Sequence, residues 1–261
     1  MEKIGLNEIH KHLLDLAQEF DRVCVNNGIP YYMAYGTMLG AVRHHGFIPW
    51  DDDMDFVVPI EHYQRMLNCL EKDLSAPYRC CTHKNRKGLI HCFAKIEDTS
   101  TLLDDSSFRL SLEEKLGINI DIFPLNRFDH EDCRIKRVRR KIHLLGAAFS
   151  DSKKHTGFIR RFGKSLLALL LGGRPTFLQR SIDRVSYSLN HGDKMGSIFD
   201  SPKIEPVPSE WFGKGRRYQF ENISLVGPIE YDLYLTHMYG DYMTPPPESQ
   251  RVAHAESAFL R

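Results

Sequence analysis

The sequence has no apolar run approaching the roughly 20 residues that a membrane-spanning helix needs. Its opening, MEKIGLNEIHKHLLDLAQEF, also lacks the apolar core of an export signal. Both absences lead to the expectation of a cytoplasmic protein. An excess of charge of either sign is missing too: 35 Lys and Arg stand against 34 Asp and Glu, a formal net charge of +1. Overall charge therefore selects no partner, and nucleic acid is not expected. Cysteine is sparse, with Cys24, Cys69, Cys80, Cys81, Cys92 and Cys133 forming no C-x-x-C pair and no zinc-like grouping. Free thiols follow, and the adjacent Cys80 and Cys81 are expected to pack rather than bridge. At 261 residues, 42% hydrophobic and 26% charged, the chain has room for one large or two small globular domains.

What is present is concentrated between Tyr32 and Pro59, in YMAYGTMLGAVRHHGFIPWDDDMDFVVP. Successive side chains of an extended strand point to opposite faces, so Asp51, Asp53 and Asp55 are predicted on one face and Met54, Phe56 and Val58 on the other. Aligned carboxylates repel one another and are tolerable when a divalent cation neutralises them. Hard oxygen ligands of this kind select Mg2+ or Mn2+. The spacing also mimics the opening of an EF-hand loop, but Phe56 then stands where Gly is needed and His62 where Glu is needed.

The flanking elements follow from periodicity. Leu6, Ile9, Leu13, Ala17, Phe20 and Cys24 predict an amphipathic helix, stopped by Asn26-Asn27-Gly28 and Pro30. Ile29 to Ala34 reads as a strand ending at Gly36-Thr37. A helical turn from Met38 to Arg43 would then present free N–H groups, which attract phosphate. Glu61 to Leu74 has helical spacing. Residues 78 to 103 read as a pair of strands, with Leu89 to Ile96 the clearer one. Gly117 to Phe123, closed by Pro124, puts Asn119, Asp121 and Phe123 on one face and Ile118, Ile120 and Ile122 on the other. A lone Asp121 could simply face solvent. Leu233 to Met238 reads as a helix broken at Tyr239-Gly240-Asp241-Tyr242, before Pro245-Pro246-Pro247 imposes an extended strap. The strap either returns the tail to the core or offers an aromatic wall to a ligand, with His254 beyond it as a further candidate.

A Gly-Thr turn, an alternating Asp pair and a third Asp on a later strand resemble the nucleotidyltransferase fold typified by DNA polymerase beta, with Gly36, Thr37, Asp53, Asp55 and Asp121 as the matching residues. More closely, IPYYMAYGTMLGAVRHHGFIPWDDDMDF, GINIDIFPLN and YGDYMTPPP are similar to segments of the LicD family of bacterial phosphotransferases, to whose broader group fukutin and fukutin-related protein belong. The likeness covers most of residues 1–125 and the last quarter of the chain. It implies transfer of a phospho-alcohol such as phosphocholine from a CDP-linked donor to a sugar hydroxyl of a cell-surface glycan precursor (teichoic acid, lipopolysaccharide or capsule), with release of CMP.

On that resemblance Asp53 and Asp55 would hold a metal on the donor's phosphates, and Asp121 would be a second metal ligand or the general base. Asp51 would complete the shell or meet solvent, and Asp52 should point away and tolerate Asn best. Gly36 would permit close backbone approach, Thr37 would donate its hydroxyl, and Arg43 would fork onto phosphate. Trp50 either stacks on a base or cation or braces the acidic strand. Lys95 either reaches phosphate or snorkels, and His44, His45 and His91 remain structural or surface residues. A nucleotidyltransferase that transfers NMP is the alternative enzyme. A glycosyltransferase using its D-x-D for a nucleotide-sugar is opposed by the Gly-Thr turn and Asp121.

The middle of the chain differs in character. Between Arg134 and Arg180 there are thirteen Lys or Arg and a single Asp, and FIRRFGKS runs into LLALLL. A basic amphipathic stretch of this kind would either lie on an anionic membrane at its inner face or form a helical subdomain with a solvated basic face. The expected architecture is an α+β (α/β) nucleotidyltransferase-like mixed-sheet core over 1–129, a basic helical insertion over 130–200 on the side of the glycan or lipid-linked acceptor, and a segment over 201–261 packed back on the core.

Overall fold

The computed structural model describes residues 2–86, 89–104, 115–130, 133–149, 176–200, 205–251 and 257–261. In chain order the elements are β1 (Glu2–Ile4), α1 (Leu6–Asn26), β2 (Tyr32–Met33), α2 (Tyr35–Arg43), β3 (Asp55–Pro59), α3 (Ile60–Asp73), β4 (Tyr78–Cys81), β5 (Ala94–Asp98), β6 (Thr101–Asp104), β7 (Asn119–Arg127), α4 (Cys133–Phe149), α5 (Thr176–Ser188), β8 (Lys194–Gly196), β9 (Val207–Pro208), β10 (Arg216–Phe220), β11 (Ile223–Gly227), α6 (Tyr231–Tyr239) and β12 (Ser257–Leu260).

The apolar stripe of α1 drives its docking. Ile9, Leu13, Leu16, Ala17, Phe20, Val23 and Cys24 are all buried, and Phe20 meets the rings of Tyr31 and Phe56 at 5.0 Å each. Burying one such aromatic contributes about 1.5–3 kcal/mol. The sheet beneath runs β2-β3-β7-β5-β4, and β8 and β9 extend it from β7 to make seven strands. β3 and β7 are parallel, whereas β2, β5 and β8 pair antiparallel with their neighbours. A parallel neighbour requires a crossover, here supplied by α3 and the strands that follow it. The Tyr63 hydroxyl on α3 donates to Ile122 O at 2.7 Å and accepts from Ala94 N–H at 2.8 Å, pinning the helix where β5 and β7 part.

Two smaller sheets close the molecule. β12 lies between β1 and β6, so the two ends of the chain meet in one sheet. The β10–β11 hairpin packs beside β2, held by a two-pronged ion pair from Arg217 to Asp21 with contacts of 2.9 and 3.2 Å. A second, smaller core gathers Phe128, Ile135, Val138, Leu145, Ile182, Leu189 and Ile198 between α4 and α5. On α4 the residues Arg134, Lys136, Arg137 and Arg140 are exposed while Ile135 and Val138 are buried, so this helix carries a solvated basic face over an apolar one. The FIRRFGKS and LLALLL stretches lie outside the described residues. Among the described residues no helix is long and apolar enough to cross a membrane.

Several boundaries differ from expectation for local reasons. Gly36 and Thr37 lie in the first turn of α2, which starts at Tyr35 one residue after the N-cap Ala34, rather than in a turn before it. The strand ladder begins at Asp55, so Asp51 to Met54 precede the strand, although more and less buried residues still alternate along them. Leu89 to Phe93 stay outside β5, which starts at Ala94. Pro124 does not close β7. The ladder to β5 has already ended at the Ala94–Ile122 pair, so the N–H that proline lacks breaks no pairing there.

Burial pushes the Cys80 and Cys81 thiols up to about 12 and raises that of Cys24 as well, whereas Cys133 is exposed. A thiolate is the reactive form. Ellman's reagent should therefore titrate Cys133 quickly in the native protein and Cys24, Cys80 and Cys81 only after unfolding. Fast native-state reaction of Cys80 or Cys81 would contradict the packing.

Candidate functional site

The site is assembled at the start of β3. Ala34 N–H donates to Asp55 O at 3.0 Å, and Asp55 N–H donates to Thr37 Oγ1 at 2.7 Å, so the first turn of α2 is tied to the first residue of the strand. The Thr37 hydroxyl thus accepts from the protein's own backbone, and its proton remains available to a ligand. The corner before it is tight. Tyr35 has φ of 45°, in a region that costs a non-glycine residue energy. A Cβ on Gly36 would stand 2.8 Å from Asp51 Oδ2, so glycine is what lets that carboxylate approach the helix start.

Strand register brings the carboxylates together. Asp55 pairs with Asp121 across the parallel β3–β7 ladder, and Lys95 pairs with Asp121 from the other side. Asp121 N–H donates to Met54 O at 2.9 Å. The Lys95 ammonium forms a close ion pair with Asp121 and donates to Asn119 Oδ1 at 3.0 Å. Lys95 is therefore engaged within the cluster, neither snorkelling to water nor standing apart from the carboxylates. Asp51 is held from behind, its carbonyl 2.7 Å from His10 Nε2 and its N–H bonded to Ile48 O.

Crowding shows in the protonation behaviour. Burial, followed by the carboxylates of Asp51, Asp121 and Asp52 and a hydrogen bond with Asp51, pushes Asp53 from 3.8 up to about 8. Asp55 is raised well above the usual carboxylate range, first by burial and then by Asp53 and Asp121, with Lys95 opposing. Asp52 follows the alternation of Met54 and Phe56 rather than that of Asp51, Asp53 and Asp55, and it is buried rather than solvent-facing.

The remaining candidates sit around this cluster. Arg43 Nη1 donates to Tyr242 O at 2.7 Å, which joins α2 to the segment after α6. Trp50 packs against the core, and its face is covered by the Arg251 guanidinium at 4.8 Å. Gly240, with φ of 70°, ends α6, and Arg251 Nε donates to Pro246 O at 2.9 Å, drawing the proline strap back toward Trp50. His91 is held neutral, pushed down to about 3 by burial and Lys95. His254 lies outside the described residues.

Four residues that the sequence did not single out for the site belong beside it. The Tyr35 hydroxyl bonds closely to Asp200, which also accepts from Ser197 N–H at 2.8 Å. Tyr35 N–H donates to the Tyr234 hydroxyl at 3.3 Å. Tyr239 keeps 44% of its surface exposed, and its phenol is raised first by burial and then by Asp55, Asp51 and Asp53. Tyr239 was visible in the YGDY break. Asp200 had no signal, because a solitary Asp in a poorly patterned stretch is indistinguishable from a surface residue.

Among the described residues no three His, Cys, Asp or Glu side chains already converge into a formed metal cluster. Lys95 engages Asp121, and Asp51 and Asp53 bond to each other. The donor set is nonetheless one of hard oxygens with more negative charge than one lysine balances, which suits a small divalent cation.

A mixed α/β protein with a carboxylate cluster at the head of a parallel strand pair, beside a helix start, is the class that these features define. Residues 28–144 match the family model described as LicD/FKTN/FKRP, nucleotidyltransferase domain. Over its full length, and the full length of the relative, the chain is 27% identical to the lipopolysaccharide cholinephosphotransferase LicD of Haemophilus influenzae. It is also 26% identical to human ribitol-5-phosphate transferase FKTN over 123 residues, which are 47% of this chain and 22% of fukutin. Residues 28–144 thus match a LicD-family domain, and the chain's named relatives are phosphotransferases.

Because Asp53 stands higher folded than unfolded, its contribution to stability is intact below 3.8 and is lost as pH rises toward about 8. Asp53→Asn should accordingly raise Tm of the metal-free protein at pH 8, by about 2–4 °C for about 1 kcal/mol relieved. An unchanged or lower Tm would mean that the carboxylates do not repel one another as their packing implies.

Proposed function

We propose that this protein is a metal-dependent phosphotransferase that moves a phospho-alcohol, phosphocholine or a chemical relative, from a CDP-linked donor to a sugar hydroxyl of a glycan precursor destined for the cell surface. The observation that carries the reading is the register of β3 against β7, which sets Asp55 beside Asp121 with Lys95 across from it, within a LicD-family domain. The acceptor oxygen attacks the phosphorus that bears the alcohol, the bond from that phosphorus to the CMP oxygen breaks, and the acceptor proton passes to a base. Asp121 is within the cluster and is the base or second ligand in this scheme. Asp53 and Asp55, with Asp51, would hold Mg2+ or Mn2+, which neutralises charge on the departing CMP. The Thr37 hydroxyl and Arg43 would orient phosphate oxygens.

The mixed sheet with its helix start and three carboxylates also supports a nucleotidyltransferase-type core over 1–129. We assign residues 130–200 as an acceptor-side insertion and 201–261 as the segment that closes over the core. The acceptor would be a glycan or a lipid-linked glycan, and a basic insertion beside such a substrate suits peripheral contact with anionic membrane.

Incubation with Mg2+, a panel of CDP-alcohols and candidate glycan acceptors should release CMP in step with acceptor modification. Pyrophosphate release from a nucleoside triphosphate, with a nucleotidylated acceptor, would instead make the protein a nucleotidyltransferase. Asp53→Asn and Asp121→Asn should each lower kcat by at least about a hundredfold with the fold intact. Near-normal turnover of the second variant removes Asp121 from the chemistry.

The cation has its own test. Metal must displace protons from Asp53 and Asp55, so its binding strengthens with pH. Mg2+ should raise Tm of the wild-type protein, more at pH 8 than at pH 6, and should do so weakly in Asp53→Asn. No shift at either pH would argue against a cation held by these carboxylates.

A further inference from the structure

Arg251 lies far from the acidic segment in sequence, on the far side of the prolines, yet its guanidinium rests on the face of Trp50 at 4.8 Å, one residue before Asp51. The His44 ring meets the same indole edge-on at 6.3 Å, and His44 adjoins Arg43. Both arginines are anchored by the C-terminal segment. Arg43 Nη1 donates to Tyr242 O and its Nε to His44 Nδ1 at 3.4 Å, while Arg251 Nε donates to Pro246 O; among the described residues these bonds leave part of each planar fork for other acceptors. Among the described residues no carboxylate makes an ion pair with Arg43, and the acid near Arg251 is Glu248, 4.0 Å away and 92% exposed at its side chain. Arg43 is lowered first by burial, raised by Tyr239 and lowered again by the charge of Arg251. The arginines border the carboxylates, since Trp50 immediately precedes Asp51 and Arg43 lies on α2, whose first turn is bonded to Asp55 through Thr37.

Two like charges near one indole, opposed among the described residues only by the solvent-exposed Glu248, form an arrangement that an anion stabilises, and a planar fork suits phosphate oxygens. We infer that Arg251 is a phosphate-binding residue, closing with Arg43 into a two-guanidinium clamp on a diphosphate whose other side meets the carboxylate cluster. Stacking on Trp50 holds Arg251 in place before the anion arrives, which lowers the entropy cost of capture. Trp50 is thereby a positioning residue for a cation supplied by the chain itself. This inference rests on the phosphotransfer reading for the identity of the diphosphate, but the clamp can be tested without it.

The probe is inorganic pyrophosphate with Mg2+, titrated calorimetrically into the full chain. Arg251→Met retains an apolar stem for Trp50 and removes the charge. It should weaken pyrophosphate binding about tenfold or more, and Arg251→Lys, a point charge without a fork, should fall between. Arg43→Ala should show a comparable loss. A lower Tm in Arg251→Met with unchanged pyrophosphate affinity would make Arg251 a tether for the strap and overturn the clamp, as would a wild-type protein that does not bind pyrophosphate. CMP release separates the two ideas. Arg251-dependent pyrophosphate binding without CMP release from any CDP-alcohol keeps the clamp and removes the phosphotransfer reading. Normal CMP release with an unchanged KM in Arg251→Met does the reverse.

Discussion

Repulsion among Asp51, Asp53, Asp55 and Asp121 is the constraint around which the rest of the structure is arranged. Four carboxylates at the head of two parallel strands, partly shut off from water, are unfavourable unless charge is removed or opposed. The protein opposes it with Lys95, whose ammonium sits on Asp121, while burial and the neighbouring carboxylates push Asp53 up and so favour its neutral form. Everything that fixes the carboxylates in this position acts against that repulsion: the Thr37 bond to Asp55, the missing Cβ of Gly36, and the backbone bond from Asp121 to Met54. A cluster retained at such a cost fits chemistry that supplies a cation, which is the physical basis for the proposed metal.

The walls are built by parts of the chain that arrive late. α6 and the proline strap bring Tyr234, Tyr239 and Arg251 across from α2, and Asp200 secures Tyr35 from below. The site thus has an acidic side carried by the sheet and a basic side carried by the α2–strap contact. A phosphate ester placed between them would meet opposite electrostatic surroundings at its two ends. The β12 strand, set between β1 and β6, holds the end of the strap's chain on the core, so the arginine side does not depend on a free tail.

Much of this was legible from pattern. The period-two alternation of Asp51, Asp53 and Asp55 against Met54 and Phe56 persisted even where no ladder forms, because inward apolar residues set the face whether or not a neighbour strand is bonded. Asn119, Asp121 and Phe123 shared a face as their spacing required, and α1 and α3 buried the stripes that periodicity marked. Boundaries were less legible. Pro124 reads as a stop, yet it is tolerated because the partner strand ends first, a fact that belongs to β5 and not to the local sequence. The sequence allows Trp50 either to brace the acidic strand or to stack on a base or cation. It packs on the core, and the cation on its face is the protein's own Arg251.

The sequence by itself determined which residues carry charge, which face of each element they share, and the likeness to the LicD family, since these depend on residue type and short-range periodicity. Tertiary structure alone decided that Asp55 stands against Asp121 and Lys95, that Tyr35 reaches Asp200, and that Arg251 covers Trp50. Those pairings join residues tens to hundreds of positions apart. Their geometry is set by strand register and by the path of the strap, which no local pattern encodes.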